Sequence, residues 1–368
     1  MRRAISILCT LLLIALLALF CSIRAQLPGD TSALVQEKYD AWSGVLRLWI
    51  FEGWNANATG WINRAAASFE TMHAGVYMQA RKVDAQALRA FSSGDINPPD
   101  MILFPPGLLD SSDGLRDLGA LPALRDGLAA CADGYAVPVL MGAYACAQAS
   151  APQSSAHLCP PADGYSNAPA ALMLMRTGEG EQAQTPQPGI DLGLPASAQK
   201  DAQAVVFTSD ACAAFSRGEA GSLTVTQAQA SRLRALFESG QGVSWTAVAT
   251  GKAMLADQLL LLGVVDWPRA DAEARAELCR AFAMHLLDAR TQAELVSTGA
   301  LPVIEGAAIY AGRTPYDALE AAASLPLIAP PAFGSAWRAE IAAICDAYFS
   351  GAITADEGLS RLLEALGG

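Results

Sequence analysis

The sequence predicts an α/β fold built in two lobes. Three observations predict it. Between Val45 and Leu109, strand-length apolar runs alternate with helix-length amphipathic runs, the pattern of a parallel sheet. Two later apolar runs, Val137–Tyr144 and Leu259–Val265, are broken by Gly or Pro and suit chain crossings between lobes. The chain left after an N-terminal export signal, about 340 residues, exceeds one ordinary core.

The first element is that signal. Arg2-Arg3 and the apolar Ile5 to Phe20 form a charged n-region and an h-region, with a cleavage site after Ala25. An uncleaved membrane anchor is one alternative, though the apolar run is slightly short for a span. Lipid on Cys21 is another, with Phe20 where a small residue is wanted. Residues 26–43 read as an exposed leader, and the protein is expected outside the cytoplasm.

Val45 to Phe51 has the length and apolarity of a buried strand, and Glu52 to Asn57 breaks it. Trp61, Ala65, Phe69 and Met72 follow at helical spacing, closed by Gly75. Val76 to Val83 alternates as a strand, Asp84 to Ser92 is a short helix, and Met101 to Phe104 is a strand stopped by Pro105-Pro106-Gly107. From Ser150 to Lys200 the composition turns to Pro, Ser, Ala, Gln and Gly. Only Ala170 to Met175 reads as core there, and the remainder as surface loop.

Order returns at Ala202. A helix ends over Ala211–Phe215 and a strand covers Ser222–Thr226. A helix over Gln227–Glu238 turns Leu233, Leu236 and Phe237 inward. Asp271 to Leu287 is a helix with Leu278, Phe282 and Leu286 on one face. Thr291-x-x-Glu294 reads as a capping box, with Gly299 as the stop. Trp337, Ile341, Ile344 and Tyr348 line a further helix. Thr354-x-x-Glu357 caps the last, whose core face holds Leu359, Leu362 and Leu363.

The net charge of −12 deepens to −15 once residues 1–25, with three Arg and no acid, are removed. That argues against nucleic acid or an anionic membrane surface as partner, leaving membrane contact to the signal or anchor. Three scattered His and no C-x-x-C pair argue against a metal site, and no cofactor motif is present. Cys131, Cys146 and Cys159 lie close enough in sequence for a local disulfide in an exported protein, whereas Cys279 and Cys345 read as small buried hydrophobes.

No catalytic constellation stands out. Glu52 and Asp100, placed at neighbouring strand ends, are the one candidate acid pair. A hydrolase built on them needs carboxyls about 5–10 Å apart. The aromatics say more. Trp54, Phe104, Tyr144, Trp245, Trp267 and Trp337 fall near strand ends, loops or helix starts, and flat rings beside Asn, Asp and Glu are the means of holding a sugar. Trp49 and Trp61 belong to the core.

Several segments in order resemble the extracellular solute-binding proteins of ABC importers, in the maltose- and oligosaccharide-binding class. Leu46–Gly60 looks like the family's first strand and ligand loop, and Asp95–Leu109 like its "PPD" strand. Tyr135–Tyr144 is similar to its first hinge strand, and Ala214–Leu223 to its "F-x-x-G-x-A-A-M" entry into a strand. Phe282–Pro302, with Gln292 and Gly299-Ala300-Leu301-Pro302, resembles its "F-L … Q … G-x-x-P" stretch, and Phe333–Leu363 its C-terminal helix pair. Gln227-Ala228 departs from the pattern, standing where many members place an aromatic pair.

The resemblance implies a two-lobed periplasmic-binding-protein-like (type II) fold with hinge strands and an interlobe cleft. Lobe one would hold 44–140 and 264–308, and lobe two 141–263 and 309–368. It implies a monomeric, non-enzymatic protein that closes on a small polar ligand and docks on an ABC permease. A sensor or adhesin with a vestigial cleft is the alternative. Strand-end position and resemblance together nominate Glu52, Trp54, Asn55, Asn57, Phe104 and Gly107 from lobe one as ligand contacts. They add Met141, Tyr144, Gln227, Trp245 and Trp337. The loops Glu52–Asn57 and Phe104–Gly107 hold no Arg or Lys, which favours a neutral carbohydrate over an amino acid.

Overall fold

The computed structural model describes residues 42–53, 58–92, 98–119, 123–128, 131, 134–163, 165–176, 205–249, 251–306 and 308–366. The expected signal, most of the expected leader, and Trp54, Asn55 and Asn57 lie outside the described residues. Among the described residues no helix is long and apolar enough to cross a membrane.

The chain begins with β1 (Gly44–Phe51), α1 (Ala58–Met72), β2 (Val76–Val83), α2 (Ala85–Ser92), β3 (Met101–Phe104), β4 (Leu115–Arg116) and β5 (Ala136–Met141). It continues through β6 (Tyr144–Ala149), β7 (His157–Cys159), α3 (Ala168–Arg176), β8 (Val205–Phe207), α4 (Ala211–Ser216), β9 (Ser222–Thr226), α5 (Gln227–Glu238), β10 (Trp245–Val248) and β11 (Met254–Leu255). There follow β12 (Leu259–Val265), α6 (Ala272–Leu286), α7 (Ala289–Ala293), α8 (Tyr316–Ala322), β13 (Leu327–Ile328), α9 (Ala336–Phe349) and α10 (Ala355–Ala365).

The first sheet has the order β2-β1-β3-β12-β4, with β5 also paired to β12. β1 to β3 run parallel, and β12 runs antiparallel to its neighbours. α1 buries Trp61, Ile62, Ala65 and Phe69. The Trp61 indole also donates to the Thr291 carbonyl at 2.9 Å. Gly75, at φ +87°, lets the chain turn directly into β2.

The second sheet has the order β10-β6-β9-β7-β8, with β7, β8 and β9 parallel. Alternation along β9 buries both faces. Leu223 and Val225 pack with Phe215 and Leu233, while His157, between Ser222 and Thr224, belongs to the opposite face. On that face Cys159 packs with α3, α9 and α10.

The chain crosses between sheets at Gly142–Ala143 and Ala256–Gln258. The two crossings are tied by Gly142 N–H to the Gln258 carbonyl at 2.6 Å and by the Tyr144 hydroxyl to Asp257 Oδ1 at 2.8 Å. The run Val137–Tyr144 therefore spans the passage from the first sheet to the second. The run Leu259–Val265 does not. It is a buried strand of the first sheet, paired with β3, β4 and β5, and the crossing precedes it. The boundary expected at 264 thus falls inside β12, because a central strand is as apolar as a crossing one.

Other departures have local causes. Asp288, not Thr291, caps α7, accepting from Arg290 N–H at 2.9 Å, and Thr291 is buried in the helix. Phe237 and Leu363 face outward, since α5 and α10 lie on the surface and bury narrower stripes than their sequences allow. β4, β7, β8, β10, β11 and β13, each two to four residues long, were not expected, being too short for periodicity to register. Among the described residues no disulfide forms. Cys146 and Cys159 lie on β6 and β7 with β9 between them, about 10 Å apart by strand spacing and beyond disulfide reach.

Candidate functional site

Strand direction decides where a site can form. The carboxyl ends of β1 and β3 in lobe one, and of β7 and β9 in lobe two, meet at one seam. From lobe one come Phe51 and the Pro105–Gly107 turn. From lobe two come Tyr165, Gln227 and the head of α9.

The lobes touch along this seam. Phe51 and Tyr165 stack edge to face with ring centroids 4.7 Å apart. Gly107 N–H donates to the Ala332 carbonyl at 2.9 Å, and Gly334 N–H to the Leu109 carbonyl at 2.8 Å. Arg338 donates to the Pro106 carbonyl at 2.6 Å. Its guanidinium lies 4.6 Å over the Trp337 ring and 5.4 Å over the Tyr165 ring. Trp337 is 7 % exposed, and its indole nitrogen has no hydrogen-bond partner. Gly107, at φ +68°, is what allows this approach. A methyl there would stand 2.9 Å from the Gly334 carbonyl oxygen.

Behind the seam, where the two crossings meet, sits a buried polar cluster. Asp257 is 3 % exposed. It accepts from the Tyr144 hydroxyl and, at 2.7 Å, from Asn167 N–H, which also donates to the Tyr144 oxygen at 2.8 Å. Burial pushes the Asp257 carboxyl up to about 7, against the hydrogen bonds that favour its charged form. Burial lowers the Arg338 guanidinium, and the Asp257 charge opposes that shift. Asp163 caps the loop before α3, accepting from Tyr165 N–H and Ser166 N–H.

The sequence-nominated residues divide. Gly107 and Trp337 meet directly. Phe104 is fully buried and reaches the seam only through Phe333, with centroids 5.9 Å apart. Gln227 is buried where Gly142 and Gly299 converge, its amide 3.2 Å from where a methyl on either would sit. Tyr144 belongs to the Asp257 cluster. Glu52 is exposed at the end of β1.

Met141 is a core residue, bonded both ways to Leu301. Trp245 is not brought to the seam. It pairs with Ala149 at the far end of β6, roughly 16 Å along the strand from Tyr144. Asp257, Asn167, Tyr165 and Arg338 were missed, because short loops and helix starts carry no periodic signal. The absence of Arg and Lys from the lobe-one loops therefore does not describe the seam.

The acid pair is also corrected. Asp100 stands at the opening end of β3, accepting from Arg47 N–H at 2.7 Å, whereas Glu52 follows the closing end of β1. Five residues of strand, roughly 16 Å, separate them, too far for paired carboxylate chemistry. Among the described residues no group of three or more His, Cys, Asp or Glu could hold a metal ion.

Neither a protein-family model nor a curated protein matches the chain. Solved structures do. The GacH receptor of Streptomyces glaucescens, solved unliganded and with acarbose and an acarbose homolog, is similar at TM-score 0.55 and 17 % identity, over 88 % of this chain and 97 % of that one. The cyclic alpha-maltosyl-1,6-maltose binding protein from Arthrobacter globiformis is similar at 0.57 and 13 %, over 88 % and 98 %. Maltodextrin binding protein MalE1 from L. casei BL23 is similar at 0.54 and 13 %, over 89 % and 100 %. At these identities the likeness is one of fold: this chain has the two-lobed α/β fold of sugar-binding ABC substrate-binding proteins.

Proposed function

We propose that this chain is an extracytoplasmic solute-binding protein that captures a carbohydrate between its lobes for an ABC importer, acting as a monomer and without catalysis. One observation carries the reading. Aromatic and polar groups from both lobes converge where the parallel strands of both sheets end, with Phe51 and Gly107 facing Tyr165, Trp337 and Arg338. The fold supports it, since the structurally similar proteins are named for binding sugars.

The mechanism is hinge closure. The crossings at Gly142–Ala143 and Ala256–Gln258 are two places where the backbone turns without breaking either sheet. A ligand that touches both lobes only when they are closed shifts the population toward that form. In this reading polar groups of the seam meet the sugar hydroxyls, and Trp337 and Tyr165 exclude water.

Titration calorimetry against mono- and oligosaccharides, polyamines and peptides tests the reading. Micromolar sugar binding, about 8 kcal/mol, is the expected result. Heat from polyamines or peptides alone would overturn the carbohydrate assignment. The direct bonds from Arg338 to Pro106 and from Gly107 to Ala332 favour a second reading, a sensor whose cleft is held shut by its own chain. Silence toward every ligand class would select it.

A further inference from the structure

The second sheet carries a cavity at the pole away from the seam. Its volume is about 380 Å³, within the range of small-molecule sites, about 300–1,000 Å³. His157 opens β7 and Ser222 opens β9, and both line it, whereas the carboxyl ends of those strands reach the seam. Along β6, roughly 16 Å separates Tyr144, beside the crossings, from Ala149 at the cavity. The C-terminal half of α3 supplies Leu172, Met175 and Arg176 to the wall.

The lining is of two kinds. Leu172, Met175 and Pro152 are apolar, while Ser155 and Ser222 bring hydroxyls and Arg176 a guanidinium. Among the described residues no carboxylate lines the cavity and no ion pair engages Arg176. The Arg176 charge acts on His157 and Cys159, so it is directed at this face of the sheet. Burial drives the His157 imidazole down to about 3, which leaves Arg176 as the ionised side chain of the described lining.

The back wall is built before any ligand arrives. Gly221 N–H and Ser222 N–H both donate to the Ala156 carbonyl, and Ala149 N–H donates to the Gly221 carbonyl. His157 Nδ1 lies 2.7 Å from Ser222 Oγ, and Nε2 lies 2.8 Å from Thr224 Oγ1. A neutral imidazole donates at one nitrogen and accepts at the other. When the Thr224 hydroxyl donates to Nε2, Nδ1–H donates to Ser222 Oγ, and the Ser222 O–H is left to donate elsewhere. An acceptor in the cavity selects that tautomer.

We propose that this cavity is a second ligand site, built in lobe two for a small carboxylate with an apolar body. The Arg176 fork takes the carboxylate, the Ser222 hydroxyl adds a neutral donor, and Leu172, Met175 and Pro152 cover the body. An ammonium would meet Arg176 as a like charge. A sugar would leave the guanidinium unpaired and set hydroxyls against apolar side chains. The site is separate from the carbohydrate reading of the seam and does not depend on it.

The test titrates the full chain calorimetrically with benzoate, phenylacetate and hexanoate, using benzamide and benzylamine as neutral and cationic counterparts. At least one carboxylate is expected to bind with a Kd below about 1 mM, and the counterparts about tenfold more weakly or worse. Arg176→Gln, at a half-buried position, should lower carboxylate affinity by about tenfold or more, the loss of a charge-assisted hydrogen bond. It should leave the urea midpoint and any sugar titration unchanged. Ser155→Trp, at an exposed position of the lining, should weaken carboxylate binding by filling the mouth.

An independent readout is the imidazole 15N resonances of the chain's three histidines. Those of His157 should shift on carboxylate binding. Those of His73, after α1, and His285, on α6, should stay, because both lie in lobe one. Absence of binding by all three carboxylates, or equal binding of benzamide, would overturn the site. Carboxylate binding that survives Arg176→Gln and is lost in Arg338→Gln would overturn it too, by placing the anion at the seam. Sugar binding is read in its own titration, so the two readings fail separately.

Discussion

Two aspartates, one in each lobe, are buried alike and held differently. Asp100 stands at the outer pole of lobe one, and Asp257 stands on a crossing beside the seam. Asp100 accepts from Arg47 N–H, from Arg269 at 3.0 Å and from Arg275 at 3.2 Å, so two guanidinium groups hold its charge. The near contacts of Asp257 are neutral donors, a tyrosine hydroxyl and a backbone N–H, and its carboxyl is raised to about 7. Burial alone does not decide what a carboxylate does. A fully paired one ties secondary structure together, and one held by neutral donors is poised to exchange a proton.

The largest effect should come from Asp100→Ala, which leaves Arg269 and Arg275 without their shared anion. Urea unfolding should show a loss of about 3 kcal/mol, at the low end for a broken buried pair because both arginines keep some surface. A loss no larger than that of an ordinary surface substitution would break the contrast.

Asp257 should show itself in pH dependence instead. Its folded value near 7 lies above the unfolded value of about 3.9, so between the two the folded chain keeps a proton the unfolded chain has released. Stability then falls as pH rises through that window, by up to about 1.4 kcal/mol per pH unit. Asp257→Asn should flatten this part of the profile relative to the wild type when urea midpoints are measured between about pH 4.5 and 8. Parallel profiles for the two proteins would show that the carboxyl is not raised.

Tyr144→Phe removes the hydroxyl that donates to Asp257 and accepts from Asn167. It should cost about 1–2 kcal/mol and push the pH-dependent window upward, because the charged carboxylate loses a donor. The smallest effect belongs to Glu52→Gln, exposed at the end of β1, with stability changed by less than about 0.5 kcal/mol. A large stability change there would place Glu52 in a network the described residues do not contain.

The same contrast explains what was legible in the sequence. Strands β1, β2, β3 and β9 and helices α1, α6, α9 and α10 follow from apolar spacing and from caps such as Thr354, which accepts from Glu357 N–H at 3.2 Å. Gln292 stands out within a motif, and its side chain does bond the Val139 and Leu286 carbonyls, but as a structural tie rather than a ligand contact. Gly107 and Trp337 were legible as residues that meet at the seam, from a strand end and a resemblance. Asp257 and Arg338 were not. One follows an apolar stretch, and the other opens a helix where an exposed arginine reads the same.

By itself the amino-acid sequence determined the alternation of strands and helices, the parallel character of the first sheet, and the existence of a crossing at Gly142, because these depend on periodicity and on backbone freedom within a few residues. Only the tertiary structure decided which apolar run is a crossing and which a central strand. It also decided which aspartate is paired, and which face or edge Trp337 presents. Those properties depend on partners far away in the chain: Arg275 for Asp100, Tyr144 for Asp257, Gly107 for Trp337. Distance in sequence carries no information about them until the sheets have assembled.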